Sequence, residues 1–174
     1  TNCHVISGAD TVTALFTDGR ELDASIVGQD RMTDLAVLKV EATDLKSAEF
    51  GDSSTLRVGD LAVAIGDPLG YRSTITDGIV SALDRDVEVD GTSMVLIQTS
   101  AAINMGNSGG ALINQYGQVV GITTVKIVTD DGSAESLGFA IPSRRVKYVA
   151  DTLIAGKTVR RGIFGFTVLT RPAQ

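Results

Sequence analysis

The pentapeptide Gly106-Asn107-Ser108-Gly109-Gly110 sets three glycines around one serine. A serine hydroxyl is a weak nucleophile until a base removes its proton, and its attack on a carbonyl creates an oxyanion that needs hydrogen-bond donors aimed at it. Glycine has no Cβ, so this backbone can turn the N–H groups of Gly106 and Ser108 toward one point. Each such donor contributes about 3 to 4 kcal/mol in a transition state. Taken alone, the pentapeptide is equally ordinary turn composition and leaves a glycine-rich hairpin open.

Working outward, the base narrows the choice. His4 is the single histidine of the chain, and neutral imidazole is the usual acceptor of a serine proton near neutral pH. It lies in Thr1-Asn2-Cys3-His4-Val5-Ile6, where polar residues lead into an apolar pair and predict a strand end facing a cleft. A carboxylate must then fix the imidazole tautomer, and Asp34 stands directly before the apolar run Leu35–Val40. The order His4, Asp34, Ser108 is that of the chymotrypsin-type arrangement. An α/β-hydrolase elbow requires a histidine after the serine and a helix opening at it. No histidine follows Ser108, and Gly109-Gly110 is a poor helix start. A subtilisin order needs an aspartate before His4, and residues 1–3 contain none. Gly156-Lys157-Thr158 has the look of a phosphate loop, but Asp151 occupies the position where that motif needs glycine, which excludes it.

The rest of the chain supplies a β scaffold. Apolar and β-branched runs of strand length recur at Val12–Phe16, Glu21–Val27, Leu35–Val40, Leu61–Ile65, Ile75–Leu83, Met94–Gln98, Val119–Lys126 and Leu137–Ile141. Asp18-Gly19 and the segment Gln115–Gln118 read as hairpin connections, so neighbouring strands are antiparallel. One helix is expected: Ser143 caps it, Val146, Val149, Leu153 and Ile154 share a face, and Gly156 ends it. Many short strands and one terminal helix make an all-β barrel or sandwich rather than a βαβ fold. The loop Gly66-Asp67-Pro68-Leu69-Gly70 is the expected division between two β units.

Composition bounds the function. The chain has 174 residues, 43% hydrophobic and 21% charged, enough apolar content for a packed core. Its net charge of −6 argues against nucleic acid as a partner. Seven basic residues and one acid fall between Arg144 and Arg171, a pattern expected of a solvated helix face and linker. One Cys and one His cannot build a His/Cys zinc cage or an internal disulfide, so no metal or cofactor is expected. Cys3 reads as a small buried side chain. No apolar run reaches the roughly 18 residues of a membrane span.

With these residues in place the chain resembles the HtrA/Deg serine proteases, chymotrypsin-fold enzymes of the bacterial envelope. The matching stretches are Thr1–Ile6, Thr33–Val40, Gly59–Gly70, Gly78–Leu83, Ala102–Leu112 and Gly138–Pro142. Each is short, and their joint order is specific. The resemblance implies a trypsin-like double β-barrel with a C-terminal helix: a first barrel over 1–66, a second over 67–141, the helix over 142–156, and a linker over 157–174. It implies Ser108 as nucleophile, His4 as general base and then acid, and Asp34 orienting His4. The oxyanion loop runs from Asn104 to Ser108, with Gly106, Asn107 and Ser108 forming the hole. Thr124 stands near the Asp34 carboxylate. Ile103 lines the pocket for the side chain before the cleaved bond, favouring small or β-branched residues, and Thr124-Val125-Lys126 pairs with the substrate backbone.

Unfolded or misfolded polypeptide is the implied substrate, and an extracytoplasmic envelope or periplasm the implied location. The family's loops at 84–93, 105–108 and 129–136 switch between competent and incompetent arrangements, which makes regulated activity an expectation here. The chain opens almost at the histidine, so the first barrel is expected to lack roughly its first two strands. The family's trimer contacts and any membrane anchor lie in that earlier segment. Gly162–Phe166 resembles the opening of a PDZ domain, and Ser100 stands where relatives place an Asp. The alternative is a catalytically silent fragment or chaperone-like binding domain whose triad is not assembled.

Overall fold

The computed structural model describes residues 1–67, 74–89, 92–104, 106–126 and 137–162 and, of Val89, Val125 and Lys126, the backbone alone. The loop positions 68–70, Asp90-Gly91, Met105, the segment 129–136 and most of the PDZ-like opening at 163–166 lie outside the described residues.

Period-2 alternation makes the first sheet. Strands β1 (Val12–Leu15), β2 (Glu21–Asp30) and β3 (Leu35–Val40) pair antiparallel in the order β1-β2-β3. The Asp18-Gly19 hairpin is closed by Phe16 N donating to Arg20 O at 2.8 Å. On β3, Leu35 faces one cluster with Val37, while Ala36 faces another with Cys3, Ile6, Val12 and Leu38. Residues 1–3 run beside the start of β3, with Ala36 N donating to Thr1 O at 2.9 Å.

Six strands then close a barrel in the order β4-β5-β6-β9-β8-β7. They are β4 (Leu61–Gly66), β5 (Thr74–Val89), β6 (Thr92–Thr99), β7 (Ala111–Ile113), β8 (Val119–Lys126) and β9 (Gly138–Pro142). Its interior holds Ala62, Ala64, Val80, Ile97, Leu112, Val120 and Ala140. Closure gives each strand two neighbours, and the end of β8 beyond Ile122 runs past its β7 partner.

Helix α1 (Ser143–Ile154) joins the two units. Val146, Val149 and Leu153 pack with Leu35 of β3, Leu96 of β6 and Phe139 and Ile141 of β9. Burying each such side chain contributes about 1.5–3 kcal/mol.

The architecture is the all-β one expected, with the first barrel present as an open three-stranded sheet. Several finer expectations change. Strand β4, assigned by sequence to the first unit (1–66), pairs with β5 and β7 inside the closed barrel. The division therefore falls between Val40 and Leu61, in a segment containing a single 3-10 turn at Ser53–Thr55. The Gly66–Gly70 loop is no boundary, because it connects β4 to its own hairpin partner, Gly66 opposite Thr74. Ser143 does not cap α1: its hydroxyl donates to Gly51 O at 2.7 Å and accepts from Ser53 N at 3.0 Å, tying the helix to that segment. Ile154 is exposed.

Candidate active site

The site lies where the open sheet meets the barrel. His4 sits in a 3-10 turn, His4–Ile6, rather than at a strand end. Its backbone N–H donates to Asp34 Oδ1 at 3.0 Å, and its ring Nδ1 lies 2.6 Å from Asp34 Oδ2. A carboxylate only accepts, so Nδ1 carries the proton and the neutral ring keeps its lone pair on Nε2. Asp34 itself has φ of +54°, a left-handed conformation that aspartate tolerates better than most residues. Its carbonyl is held by Asn2 Nδ2 at 2.8 Å and by Cys3 N at 3.2 Å.

The barrel contributes Thr124, whose hydroxyl donates to Asp34 Oδ2 at 2.9 Å. The register of β8 against β9 shifts between Thr123 and Lys126, a bulge of the kind that re-aims side chains beside functional sites. Ser108 is brought to the same residue: its hydroxyl donates to Thr124 O at 2.7 Å. Among the described residues no hydrogen bond joins Ser108 to His4. His4, Asp34 and Thr124 thus form one connected set, and Ser108 meets that set through the Thr124 carbonyl.

The loop before Ser108 is tightly built. Asn107 is buried, with Nδ2 donating to Ala102 O at 3.1 Å and its N–H to Asn104 O at 3.0 Å. Its carbonyl accepts from the Thr123 hydroxyl and from Gly110 N. Gly106 has φ of +100°, and a Cβ on Gly110 would lie 2.1 Å from Ile65 O, so both positions require glycine. The N–H groups of Gly106 and Ser108 have no acceptor among the described residues.

Ile103 is 4% exposed and packs in the barrel core, with little surface open to a ligand. Asn104 contributes its carbonyl to the loop. Strand β7 pairs with β8 only as far as Ile122, so the backbone of Thr124, Val125 and Lys126 extends past its strand partner on that side. Ser100 accepts from Ile79 N at 3.0 Å. Cys3 is buried and its thiol donates to Leu35 O at 3.0 Å; burial pushes the thiol above its ordinary range. Sequence reading missed Asn2 and Thr123. The doublet Thr123-Thr124 carried a signal for the second, since strand alternation turns one hydroxyl to the serine loop and the next to Asp34. Among the described residues no three His, Cys, Asp or Glu side chains gather as metal ligands, and no helix is long and apolar enough to cross a membrane.

Comparison with known proteins follows this geometry. A family model described as a trypsin-like peptidase domain matches residues 1–122. The Do-like serine protease HtrA of Bacillus subtilis (strain 168) is 47% identical over 176 residues, covering 97% of this chain and 39% of that protein. A probable periplasmic serine protease of the do/HhoA type from Haemophilus influenzae is 46% identical over 167 residues, covering 95% of this chain and 36% of that one. The solved structure of the HtrA-type protease AlgW with a decapeptide superposes with a TM-score of 0.83 at 43% identity, over 89% of this chain and 47% of that one. The chain thus spans well under half the length of the curated relatives it matches. Fold and family model agree, and the chain belongs to the trypsin-like peptidase domain family, with HtrA-type serine proteases as the relatives it is similar to.

Proposed function

We propose that this chain is the protease domain of an HtrA-like serine endopeptidase. The observation that carries the reading is the Asp34 carboxylate, which receives His4 Nδ1 from the open sheet and the Thr124 hydroxyl from the barrel at 2.6 and 2.9 Å. That arrangement leaves Nε2 as the basic nitrogen of the ring.

In the reaction, Ser108 Oγ turns from the Thr124 carbonyl toward Nε2, gives up its proton there and attacks the substrate carbonyl carbon. Catalytic hydrogen bonds commonly tighten only when substrate binds, so the resting bond to Thr124 is compatible with this step. The N–H groups of Gly106 and Ser108, held by the Asn107 loop, receive the oxyanion. His4 then passes its proton to the leaving amine, and water hydrolyses the acyl-enzyme by the same route in reverse. Asp34 keeps the imidazole in the required tautomer and stabilises its protonated form.

The substrate is an extended polypeptide that adds to the β8 backbone at Thr124-Val125-Lys126, where β7 has stopped. Ile103 walls the pocket for a Val- or Ala-sized residue once the pocket opens. Recognition of extended backbone selects unfolded or misfolded protein and suits envelope quality control. Relatives named as periplasmic proteases support an extracytoplasmic location. A PDZ domain in the parent chain and trimeric assembly belong to the same reading.

A fluorophosphonate probe tests it. The folded chain is expected to label on Ser108, with labelling lost in Ser108→Ala and His4→Ala. A folded chain that does not label removes the enzyme reading and leaves the silent polypeptide-binding domain.

A further inference from the structure

We propose that Arg161, acting through Asp30 and Thr33, is a positioning residue that holds the Asp34 turn in its left-handed conformation. The proposal deepens the protease reading and rests on it only for the meaning of Asp34.

Asp30 ends β2 opposite Leu35, the residue after Asp34. Between them the chain reverses through a tight turn, with Thr33 N donating to Asp30 O at 3.3 Å and Asp34 N to Arg31 O at 3.2 Å. The turn delivers Asp34 at φ +54°, a conformation that is unfavourable in a non-glycine residue and kept where the surroundings enforce it. The Asn2 side-chain amide and the Cys3 backbone N–H, both donating to the Asp34 carbonyl, hold one side of that residue. On the other side the Thr33 hydroxyl donates to Asp30 Oδ2, and the same oxygen receives the Arg161 guanidinium.

That ion pair is set apart from the other described ones by its burial. The Asp30 side chain is 12% exposed and that of Arg161 30%, whereas the Arg20, Lys39 and Lys147 pairs stand in solvent. Losing the cation leaves a largely buried carboxylate with the Thr33 hydroxyl but no counter-charge, which is an unfavourable state. Thr33, itself buried, and Arg161 both line one cavity of about 760 Å³, so the two ends of this contact share one open corner.

Arg161 is well placed to act as a brace. It follows α1 in a short segment fixed by Lys157 N donating to Thr152 O at 3.0 Å, by buried Val159, and by Tyr148 Oη donating to Arg160 O at 3.4 Å. The segment that leaves the helix is thereby clamped to the turn that carries the Asp34 carboxylate. Other titratable or charged groups at this corner are His4, the Cys3 thiol and Arg31 near Asp34 and Asp30, and Asp84, Arg144, Arg145, Tyr148 and Arg160 around the cavity that Arg161 lines.

The single histidine of these 174 residues makes the test unambiguous, because their one imidazole signal belongs to His4. Its ring is titrated by NMR in the unaltered chain and in Arg161→Ala, Arg161→Lys and Arg160→Ala, with thermal melting recorded for each. Simple loss of a nearby positive charge would raise the His4 midpoint. Loss of Asp34 positioning lowers it, because the imidazolium loses its carboxylate partner. The expected result in Arg161→Ala is a fall of about half a unit or more and faster exchange of the Nδ1 proton. Arg161→Lys restores most of both, and Arg160→Ala changes neither. An unchanged or raised midpoint in Arg161→Ala overturns the proposal, as does an equal fall in Arg160→Ala. If Arg161→Ala does not fold, Arg161→Gln is read by the same criteria. Fluorophosphonate labelling reports on the protease assignment separately: a chain that never labels yet shows the His4 shift would remove that assignment and leave the brace standing.

Discussion

The closed barrel and the open sheet solve the same problem in different ways. In the barrel every strand has two neighbours, and Ala62, Ala64, Val80, Leu112 and Ala140 are fully buried inside it. The sheet β1-β2-β3 buries residues only partly along β1 and β2 and leaves Leu15, Ile26 and Val27 exposed. It is held by contacts to things outside itself: helix α1 against Leu35, residues 1–3 beside β3, and the bond from Thr124 to Asp34. Ser108 and the β8 edge proposed for substrate sit on the self-sufficient half, His4 and Asp34 on the dependent one. The geometry proposed for catalysis is therefore only as good as the docking of the weaker half on the stronger.

The largest expected effect comes from attacking each half at its own support. Leu112→Ala empties a fully buried site inside the barrel, and Leu153→Ala removes the helix side chain that packs toward the sheet. Buried Leu→Ala changes cost about 2–5 kcal/mol, with the upper end expected where the surroundings cannot collapse, as inside a closed barrel. Leu112→Ala should lower the urea midpoint for the whole molecule. Leu153→Ala should cost less overall, yet speed amide exchange in β2 and β3 ahead of β6 and β9 and reduce fluorophosphonate labelling. Equal loss of protection in both halves for Leu153→Ala would show that the sheet does not depend on the helix in this way.

A smaller effect isolates the link between the halves. Thr124→Val keeps the shape of the side chain and deletes the hydroxyl that donates to Asp34 Oδ2. Hydrogen bonds to charged groups contribute about 1.5–3 kcal/mol. The expected outcome is a drop in labelling rate of roughly ten-fold or more with little change in the urea midpoint, since RT ln 10 is about 1.4 kcal/mol. A rate unchanged by Thr124→Val would mean that His4 alone orients Asp34.

What could be read from the sequence follows the same division. Strands β3 and β8 were legible to the residue, because apolar alternation with β-branched residues is a local signal. Residue chemistry and chain order picked out His4, Asp34 and Ser108 as the proposed trio, while the contacts of His4 with Asp34 and of Ser108 with Thr124 were not readable from them. Strand β7 is three residues long and follows Gly109-Gly110, too short for any period, and exists because β4 and β8 flank it. The outer part of β5 carries Asp84-Arg85-Asp86, a polar stretch that pairs with β6 beyond the run read as apolar. The membership of β4 was hidden for a similar reason, since pairing with β7 is set by residues nearly fifty positions away. Asp30 and Arg161 are 131 positions apart, and nothing local marks their bond.

The smallest expected effect lies on the open sheet's surface, where charge takes the place of a core. Arg20, at the end of the β1–β2 hairpin, donates to Asp18 at 2.7 Å and to Asp44 at 2.9 Å, and its guanidinium stacks 5.4 Å from the centre of the Phe16 ring. Hydrogen bonds from the Arg20 backbone and side chain hold Asp18 below the ordinary carboxylate range, and the Arg20 side chain does the same for Asp44. Carboxyls depressed in the folded state contribute stability that is present above their unfolded values and is lost as pH falls through the folded ones. These groups are fully exposed, so the contribution is small and weakened by salt. Acidification from pH 5 to pH 3 should therefore speed amide exchange in β1 and the start of β2 while the barrel strands keep their protection. In Arg20→Gln both carboxyls should titrate nearer their ordinary range, and the acid sensitivity of β1 should shrink. If barrel amides lose protection in step with β1 instead, the sheet and barrel open as one unit, and the independence argued for the two halves fails at its most exposed point.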